Sequence, residues 1–193
     1  MHTLKPALLL FSLLSLITGI GYPLLTTLVG KTFFPHQSAG SLIIQKESII
    51  GSELIGQSFS SPRYFWGRLS ATAPMPYNAQ TSSGSNLAPT NPALGDAAKA
   101  RIEELNKHFL QPSSTSQKIP IDLITASASG LDPEISPEAA YYQIERISHI
   151  RRISEANLRR LIANHTNTRQ WGLLGEPRVN VLKLNLALDA IDH

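Results

Sequence analysis

Residues Ala7–Val29 read ALLLFSLLSLITGIGYPLLTTLV, a stretch that contains no Asp, Glu, Lys, Arg or His. An α-helix of this length rises about 35 Å, whereas the hydrocarbon core of a bilayer is about 30 Å thick. The sequence therefore predicts one transmembrane helix over residues 7–29, after a short N-terminal tail of residues 1–6. Pro23 lies inside this stretch, and because a proline removes one backbone donor, we expect an irregularity there.

A cleaved signal peptide is the alternative reading of this apolar stretch. Lys5 supplies a short basic region before it, as signal peptides have. The apolar run is longer than the usual ~7–15 residues, however, and no A-x-A site follows it. Ser38-Ala39-Gly40 is the nearest site of small residues and lies well downstream. We therefore expect an uncleaved anchor.

The charges on either side of the helix specify its orientation only weakly. Lys5 lies before the helix, and Lys31 and Lys46 follow it, so the count of basic residues barely decides. The short tail is typical of a signal anchor. We therefore expect a cytoplasmic N-terminus and an exported bulk domain.

The remainder of the chain has the composition of one folded domain. The chain has no cysteine, which excludes disulfides, thiol nucleophiles and cysteine-ligated metal sites. Its formal net charge is +3 and it has no basic block, so nucleic acid is not an expected partner. After a linker over residues 30–39, we expect one mixed α+β extramembrane domain over residues 40–193.

Short apolar runs and capping residues predict the elements of this domain. Ser41–Ile44 and Ser48–Ile50 predict a hairpin, continued by Glu53–Ile55. Residues 58–92 are rich in Ser, Pro, Gly and Asn, and so long a loop is uncommon unless it binds something or is disordered. Residues 119–125 predict an edge strand that begins near Pro120.

Three helices and a last strand follow from the same kind of signal. Caps are expected at Asn91, Ser136 and Ser154. The apolar face of the first helix is expected at Leu94, Ala98, Ile102, Leu105 and Phe109, and that of the second at Ala140, Ile144, Ile147 and Ile150. We expect Pro112 and the polar run Ser113–Ser116 to end the first helix. Val179–Val181 predicts a strand that changes phase into a bulge or a helix.

Motifs for enzymatic chemistry are mostly absent from the sequence. Gly30-Lys31-Thr32 has Leu25 where a phosphate-binding loop needs glycine, and Ser127 and Ser129 match neither G-x-S-x-G nor S-x-x-K. The six histidines never occur at metal-ligand spacing, so no metal site is expected. Asp132 and Glu134 are a possible carboxylate pair, although Asp132-Pro133 is also an ordinary turn former.

Arginines 151, 152, 159 and 160 are interpreted as a solvated helical face. Three other segments combine aromatic, amide and small polar residues, namely 51–59, 64–87, and 125–133 with 175–181. Such segments suit a protein-docking surface, and their aromatic rings also suit stacking on a base. The alternative is a loop fixed by its own side chains.

At these segments the chain resembles the C subunit family of the Kdp potassium-transporting P-type ATPase of prokaryotes. The resemblance rests on the N-terminal helix and on motifs at 51–57, 64–68, 77–78, 84–87, 91–92, 125–133 and 175–185, and so covers essentially the whole chain. Leu69 is a departure, because the family is expected to have proline there. We expect this change to loosen the loop without affecting the assignment.

The resemblance implies a non-catalytic accessory subunit in a prokaryotic inner membrane. Its partners would be a channel-like potassium-binding subunit, an ATP-hydrolysing subunit and membrane lipid. The family is described as stabilising the complex and as a catalytic chaperone that raises the ATP affinity of the hydrolysing subunit. No cofactor is expected to be bound permanently, and ATP would act through the complex.

Carried over residue by residue, the family motifs mark Gln57 as associated with nucleotide. They mark the following as docking or structural residues: Tyr64, Phe65, Arg68, Tyr77, Asn78, Ser85, Asn86, Ser127, Ser129, Asp132, Arg178 and Asn180. An exported Gln57 cannot meet cytoplasmic ATP, so an effect on affinity would require coupling between sites. Two alternatives are a membrane-anchored hydrolase that uses Asp122, Ser127 and Asp132, and a module that binds nucleotide directly.

Overall fold

The computed structural model describes residues 3–108 and 118–191, which form two compact units. The first unit ends at Ser52 and the second begins at Glu53. The predictions for Phe109, Pro112 and the run Ser113–Ser116 lie outside the described residues.

The first unit begins with the apolar helix. It consists of α1 (Leu4–Leu16), a π-helical turn (Ile17–Gly21) and α2 (Tyr22–Phe33). Within the described residues, the 4–33 helix is the one long and apolar enough to cross a membrane, and none of its residues is fully buried within the chain. The π turn ends two residues before Pro23, which lies in the first turn of α2, and the irregularity expected at Pro23 itself stays a prediction.

The predicted hairpin follows the short helix α3 (Pro35–Ser38). Strand β1 (Leu42–Gln45) runs antiparallel to β2 (Ser48–Ser52), with Ile44 opposite Ile49. The Ser52 hydroxyl donates a 2.7 Å hydrogen bond to the Gly40 carbonyl. The predicted continuation through Glu53–Ile55 is wrong, because the strand ends at Ser52 and a turn begins there.

The second unit is a mixture of helices and a small antiparallel sheet, which confirms the α+β prediction. Its elements are α4 (Pro92–His108), a 3-10 turn (Ile121–Leu123), β3 (Glu134–Ile135), α5 (Pro137–Tyr142), α6 (Ile144–Arg151), α7 (Glu155–Asn164), β4 (Thr166–Asn167), β5 (Arg178–Asn180) and α8 (Val181–Asp189). The sheet order is β3-β5-β4. A bulge or a helix was expected at Val181–Leu182, and the structure has the helix, since α8 begins at Val181 directly after β5.

The helix caps are also confirmed. The Asn91 side chain accepts from the Ala93 N–H at 3.0 Å, Ser136 accepts from Ala139 at 3.1 Å, and Ser154 accepts from Asn157 at 3.3 Å. Each cap satisfies a donor that the first helical turn leaves open.

Two predictions in this unit are wrong. The predicted strand 119–125 is instead irregular with a 3-10 turn at Ile121–Leu123, because Leu123 is buried in the core and Asp122 accepts a 2.7 Å bond from the Ser136 N–H. The helix that starts at Ser136 breaks at Gln143 into α5 and α6. Ile150 on α6 is 42% exposed, so the prediction that it faces inward is wrong.

Candidate functional site

Two buried amide side chains hold the backbone of Phe65 and Trp66 against the helices. Asn185 on α8 accepts from the Phe65 N–H at 2.9 Å and donates to the Phe65 carbonyl at 3.0 Å. Gln143 does the same for Trp66, at 2.7 and 3.0 Å. These bonds replace a strand partner for a segment without one, because buried backbone groups need partners.

The guanidinium groups of two arginines lie over the ring of Trp66. The guanidinium carbon of Arg146 is 4.5 Å from the ring centroid and that of Arg101 is 5.1 Å away. Burial, with a smaller contribution from Arg101, lowers the pKa of Arg146 to about 10. Arg146 also donates to Gln143 at 2.7 Å and to the Pro62 carbonyl. The tryptophan and both cations therefore support the fold.

Arg68, Asp132 and Tyr77 meet beside this core. An Arg68 nitrogen lies 3.2 Å from an Asp132 carboxylate oxygen, and the Tyr77 hydroxyl donates to the Arg68 carbonyl at 2.5 Å. Burial, followed by the Asp132 charge, raises the pKa of Tyr77 to about 12. The second Asp132 oxygen accepts from the Glu134 N–H at 3.0 Å. Asp132 thus forms the predicted turn, and its carboxylate also anchors the arginine.

Hydroxyl groups fix the long loop of residues 58–91 to the segment 125–133. Ser70 donates to the Gly130 carbonyl at 2.7 Å and accepts from the Tyr77 N–H at 2.8 Å. Thr72 donates to the Met75 carbonyl at 2.7 Å and accepts from the Asn78 N–H at 3.0 Å. The loop is therefore held by its own side chains, which was the alternative to a docking surface given in the sequence analysis.

The next part of the loop, at Ser82 and Ser83, contacts the backbone of the same segment. The Ser83 N–H and the Ser82 hydroxyl both donate to the Ser129 carbonyl at 3.0 Å. The predicted residues Ser85 and Asn86 follow and are exposed.

The other predicted site residues lie at separate places in the second unit. Tyr64 donates to Asp189 at 3.1 Å under the guanidinium of Arg151. Asn180 donates to the Glu53 carbonyl at 2.8 Å and caps α8. Arg178 pairs with Glu134 at 2.9 Å, Ser127 is buried, and Gln57 is partly buried. The structure groups Arg68, Tyr77 and Asp132, whereas these residues do not join that cluster.

Arg151 corrects the interpretation of the arginines as a solvated face. Its side chain is 1% exposed. One guanidinium nitrogen lies 2.6 Å from an Asp189 carboxylate oxygen, and the guanidinium lies over the Tyr64 ring. Arg152, Arg159 and Arg160 are exposed, as predicted.

A cleft of about 190 Å³ opens between the long loop and α4. Its lining includes Ser58, Phe59, Trp66, Arg68, Tyr77, Arg101 and Glu104. In the described part of the chain, no group of three or more His, Cys, Asp or Glu residues suits a metal ion. The residues of the hydrolase alternative have structural contacts instead, since Asp122 holds the start of α5 and Asp132 holds Arg68.

Comparison with known proteins accounts for nearly the whole chain. The family model of the K⁺-transporting ATPase, c chain, matches residues 4–190. The chain belongs to the KdpC family. The "Potassium-transporting ATPase KdpC subunit" of Burkholderia mallei (strain SAVP1) is 56% identical over 186 residues, covering 96% of this chain and 95% of that protein. The subunit of the same name from Variovorax paradoxus (strain S110) is 56% identical over 189 residues, covering 98% and 96%. The resemblance stated from the motifs is confirmed.

Sequence reasoning did not identify the buried amides of Gln143 and Asn185. Asn185 had a readable signal, because it is a polar residue within the otherwise apolar face of residues 181–188. A polar side chain on the buried face of a helix needs a buried partner. Gln143 had no comparable signal, since its burial depends on the break between α5 and α6.

Proposed function

We propose that this chain is an accessory, non-catalytic subunit of an ATP-driven potassium uptake pump. The 4–33 helix anchors it in the membrane, and the second unit docks on partner subunits with its long loop. The observation that carries this proposal is the fixed 58–91 loop, whose exposed Ser85 and Asn86 follow a segment held by side-chain hydrogen bonds. Long ordered loops without regular structure are typically binding elements.

The family match supports the pump as the assembly in question. Relatives 56% identical to this chain carry the name of a potassium-transporting ATPase subunit. The partners would be a channel-like potassium-binding subunit and an ATP-hydrolysing subunit. An exported second unit, with the N-terminus in the cytoplasm, is the proposed orientation.

Omission of this chain from the pump tests the proposal. We expect high-affinity potassium uptake to be lost and the purified partner subunits to dissociate more readily. Re-expression of the full chain should restore both properties. Unchanged uptake and ATPase activity without the chain would refute the accessory role.

We further propose that the chain raises the ATP affinity of the hydrolysing subunit through contacts between subunits. Gln57 adjoins Ser58, which lines the cleft beside Arg68 and Arg101. If the second unit is exported, ATP does not reach this site, and the effect is a coupling free energy of about 1–3 kcal/mol.

A glutamine pair tests this coupling. Gln57→Ala should raise the ATP concentration for half-maximal activity of the assembled pump, whereas Gln80→Ala at an exposed loop position is the control. ATP binding by the isolated full chain that Gln57→Ala weakens would instead indicate direct nucleotide contact. A C-terminal reporter fusion distinguishes an exported from a cytoplasmic second unit.

A further inference from the structure

The turn between β4 and β5 presents three large apolar side chains to solvent. Trp171 is 87% exposed, Leu173 is 81% exposed and Leu174 is 54% exposed. We call residues 170–174 the apolar tip; they contain no charged residue. Single exposed apolar residues are ordinary, but a contiguous group of this kind marks an interaction surface.

The backbone holds the apolar tip in one conformation. The Gln170 N–H donates to the Leu174 carbonyl at 2.8 Å, and the Leu174 N–H donates to the Gln170 carbonyl at 3.0 Å. Trp171 and Gly172 have positive φ angles of 51° and 74°. A bulky residue rarely adopts such a φ, so the turn presents the indole outward at a conformational cost.

The charged residues beside the apolar tip neutralise each other. Arg169 donates to both carboxylate oxygens of Glu176, at 2.8 and 2.7 Å. Because this ion pair, made by one Arg169 nitrogen, closes the base of the turn, the apolar tip above it carries no unpaired charge. Such a surface offers a partner apolar contact and the indole N–H, and it offers no complementary charge.

We propose that the apolar tip inserts into the headgroup region of the bilayer that holds the chain's own 4–33 helix. Tryptophan is enriched at the membrane interface, where its ring contacts acyl chains and its N–H remains hydrated. Leu173 and Leu174 supply the apolar area that interfacial binding requires. The inference is independent of the pump assignment, since it needs only a chain anchored in a membrane.

Chain connectivity favours the bilayer over a pocket on a partner protein. The second unit is joined to the 4–33 helix by residues 34–52, so the apolar tip is tethered to whichever membrane holds that helix. Protein hot spots typically combine an aromatic residue with a polar rim that orients the partner. Arg169 and Glu176 are paired with each other, so beside the apolar tip they offer a partner protein no unpaired charge.

The two tryptophans of the chain make the proposal measurable. Trp66 is 2% exposed in the core, whereas Trp171 lies at the apolar tip. The full chain is reconstituted in nanodiscs made with phosphatidylcholine brominated on its acyl chains. The emission of the Trp171→Phe variant is subtracted from that of the unsubstituted chain, which leaves the emission of Trp171. We expect brominated lipid to reduce the Trp171 component by about half, as for an indole at the interface. The emission of Trp66 should stay unchanged.

Variants of a neighbouring residue separate insertion from simple proximity. Leu173→Glu should abolish quenching of Trp171 by brominated lipid, since a charge opposes entry into the acyl boundary. Leu173→Phe is the matched control and should retain the quenching. Equal quenching in both variants would overturn the proposal.

Aqueous iodide applied to the assembled pump supplies the remaining outcomes. Trp171 protected from iodide and quenched by brominated lipid supports insertion. Trp171 accessible to iodide overturns the proposal, because the apolar tip is then in water. Protection from both quenchers also overturns it, because a partner protein then covers the apolar tip. Each outcome can be read whether or not the pump transports potassium.

Discussion

The 4–33 helix and the core of the second unit are both built from apolar residues, but those residues have different partners. None of the helix residues is fully buried within the chain, and Phe11 is 70% exposed. In the second unit, Phe65 and Leu184 have no exposed surface. The second unit therefore obtains its hydrophobic stabilisation from its own chain, whereas the helix must obtain it from lipid or another subunit.

Truncating one phenylalanine in each region gives the largest expected contrast. Phe65→Ala should reduce the free energy of unfolding of the second unit by about 3–5 kcal/mol, because it empties a fully buried site. Phe11→Ala should leave that free energy unchanged. Denaturation of the full chain in detergent, followed by tertiary circular dichroism, measures both. Equal losses would break the comparison, since they would mean that the second unit depends on the helix.

A glycine pair sharpens the same contrast at the backbone. A Cβ at Gly130 would lie 2.5 Å from the Thr72 methyl and 2.6 Å from the Ser83 carbonyl, at a φ of +67°. Gly130→Ala should therefore destabilise the second unit by about 3 kcal/mol. Gly19→Ala in the helix meets nothing within 4 Å and is the control. A thermal shift as small for Gly130→Ala as for Gly19→Ala would contradict the fixed loop.

Titration of Tyr77 should give the smallest effect, at high pH. The folded-state pKa of about 12 lies above the ordinary value of 10.0, because burial and the Asp132 charge disfavour the phenolate. The folded state holds the Tyr77 proton more tightly than the unfolded state does. The contribution of this group to folding stability is therefore complete below pH 10 and is lost as the pH rises through 12. The loss amounts to about 2 kcal/mol.

Two substitutions isolate this contribution. Tyr77→Phe should flatten the fall in stability between pH 10 and 12, because it removes the ionisable group. Tyr22→Phe in the 4–33 helix is the matched control and should leave the profile of the second unit as it was. An alkaline profile that is the same with and without the Tyr77 hydroxyl would count against its burial.

Local signals predicted the elements whose cause is local. The hairpin at residues 42–52 and the caps at Asn91, Ser136 and Ser154 were readable, because each depends on neighbours within a few residues. The turn at Asp132 was readable for the same reason. The predicted boundaries at residues 7–29, 30–39 and 40–193 stay predictions. The chain divides into its two compact units between Ser52 and Glu53.

Errors occurred where distant residues compete with local preference. The apolar run at 119–125 looks like a strand, but Asp122 is held by the Ser136 backbone and Leu123 by the core. The helix after Ser136 breaks at Gln143, whose amide binds the backbone of Trp66. Arg151 looked solvated because its partners Tyr64 and Asp189 are far away in sequence. No local pattern contains those contacts.

The sequence by itself determined the apolar helix, the α+β character of the remainder and membership of the KdpC family. These depend on uncharged length, periodicity and motifs, which are properties of the linear chain. The tertiary structure alone decided that Asn185 and Gln143 hold the backbone of Phe65 and Trp66, and that Arg68, Asp132 and Tyr77 meet. The physical reason is that a buried polar group must find its partner in space, and that partner lies far away along the chain.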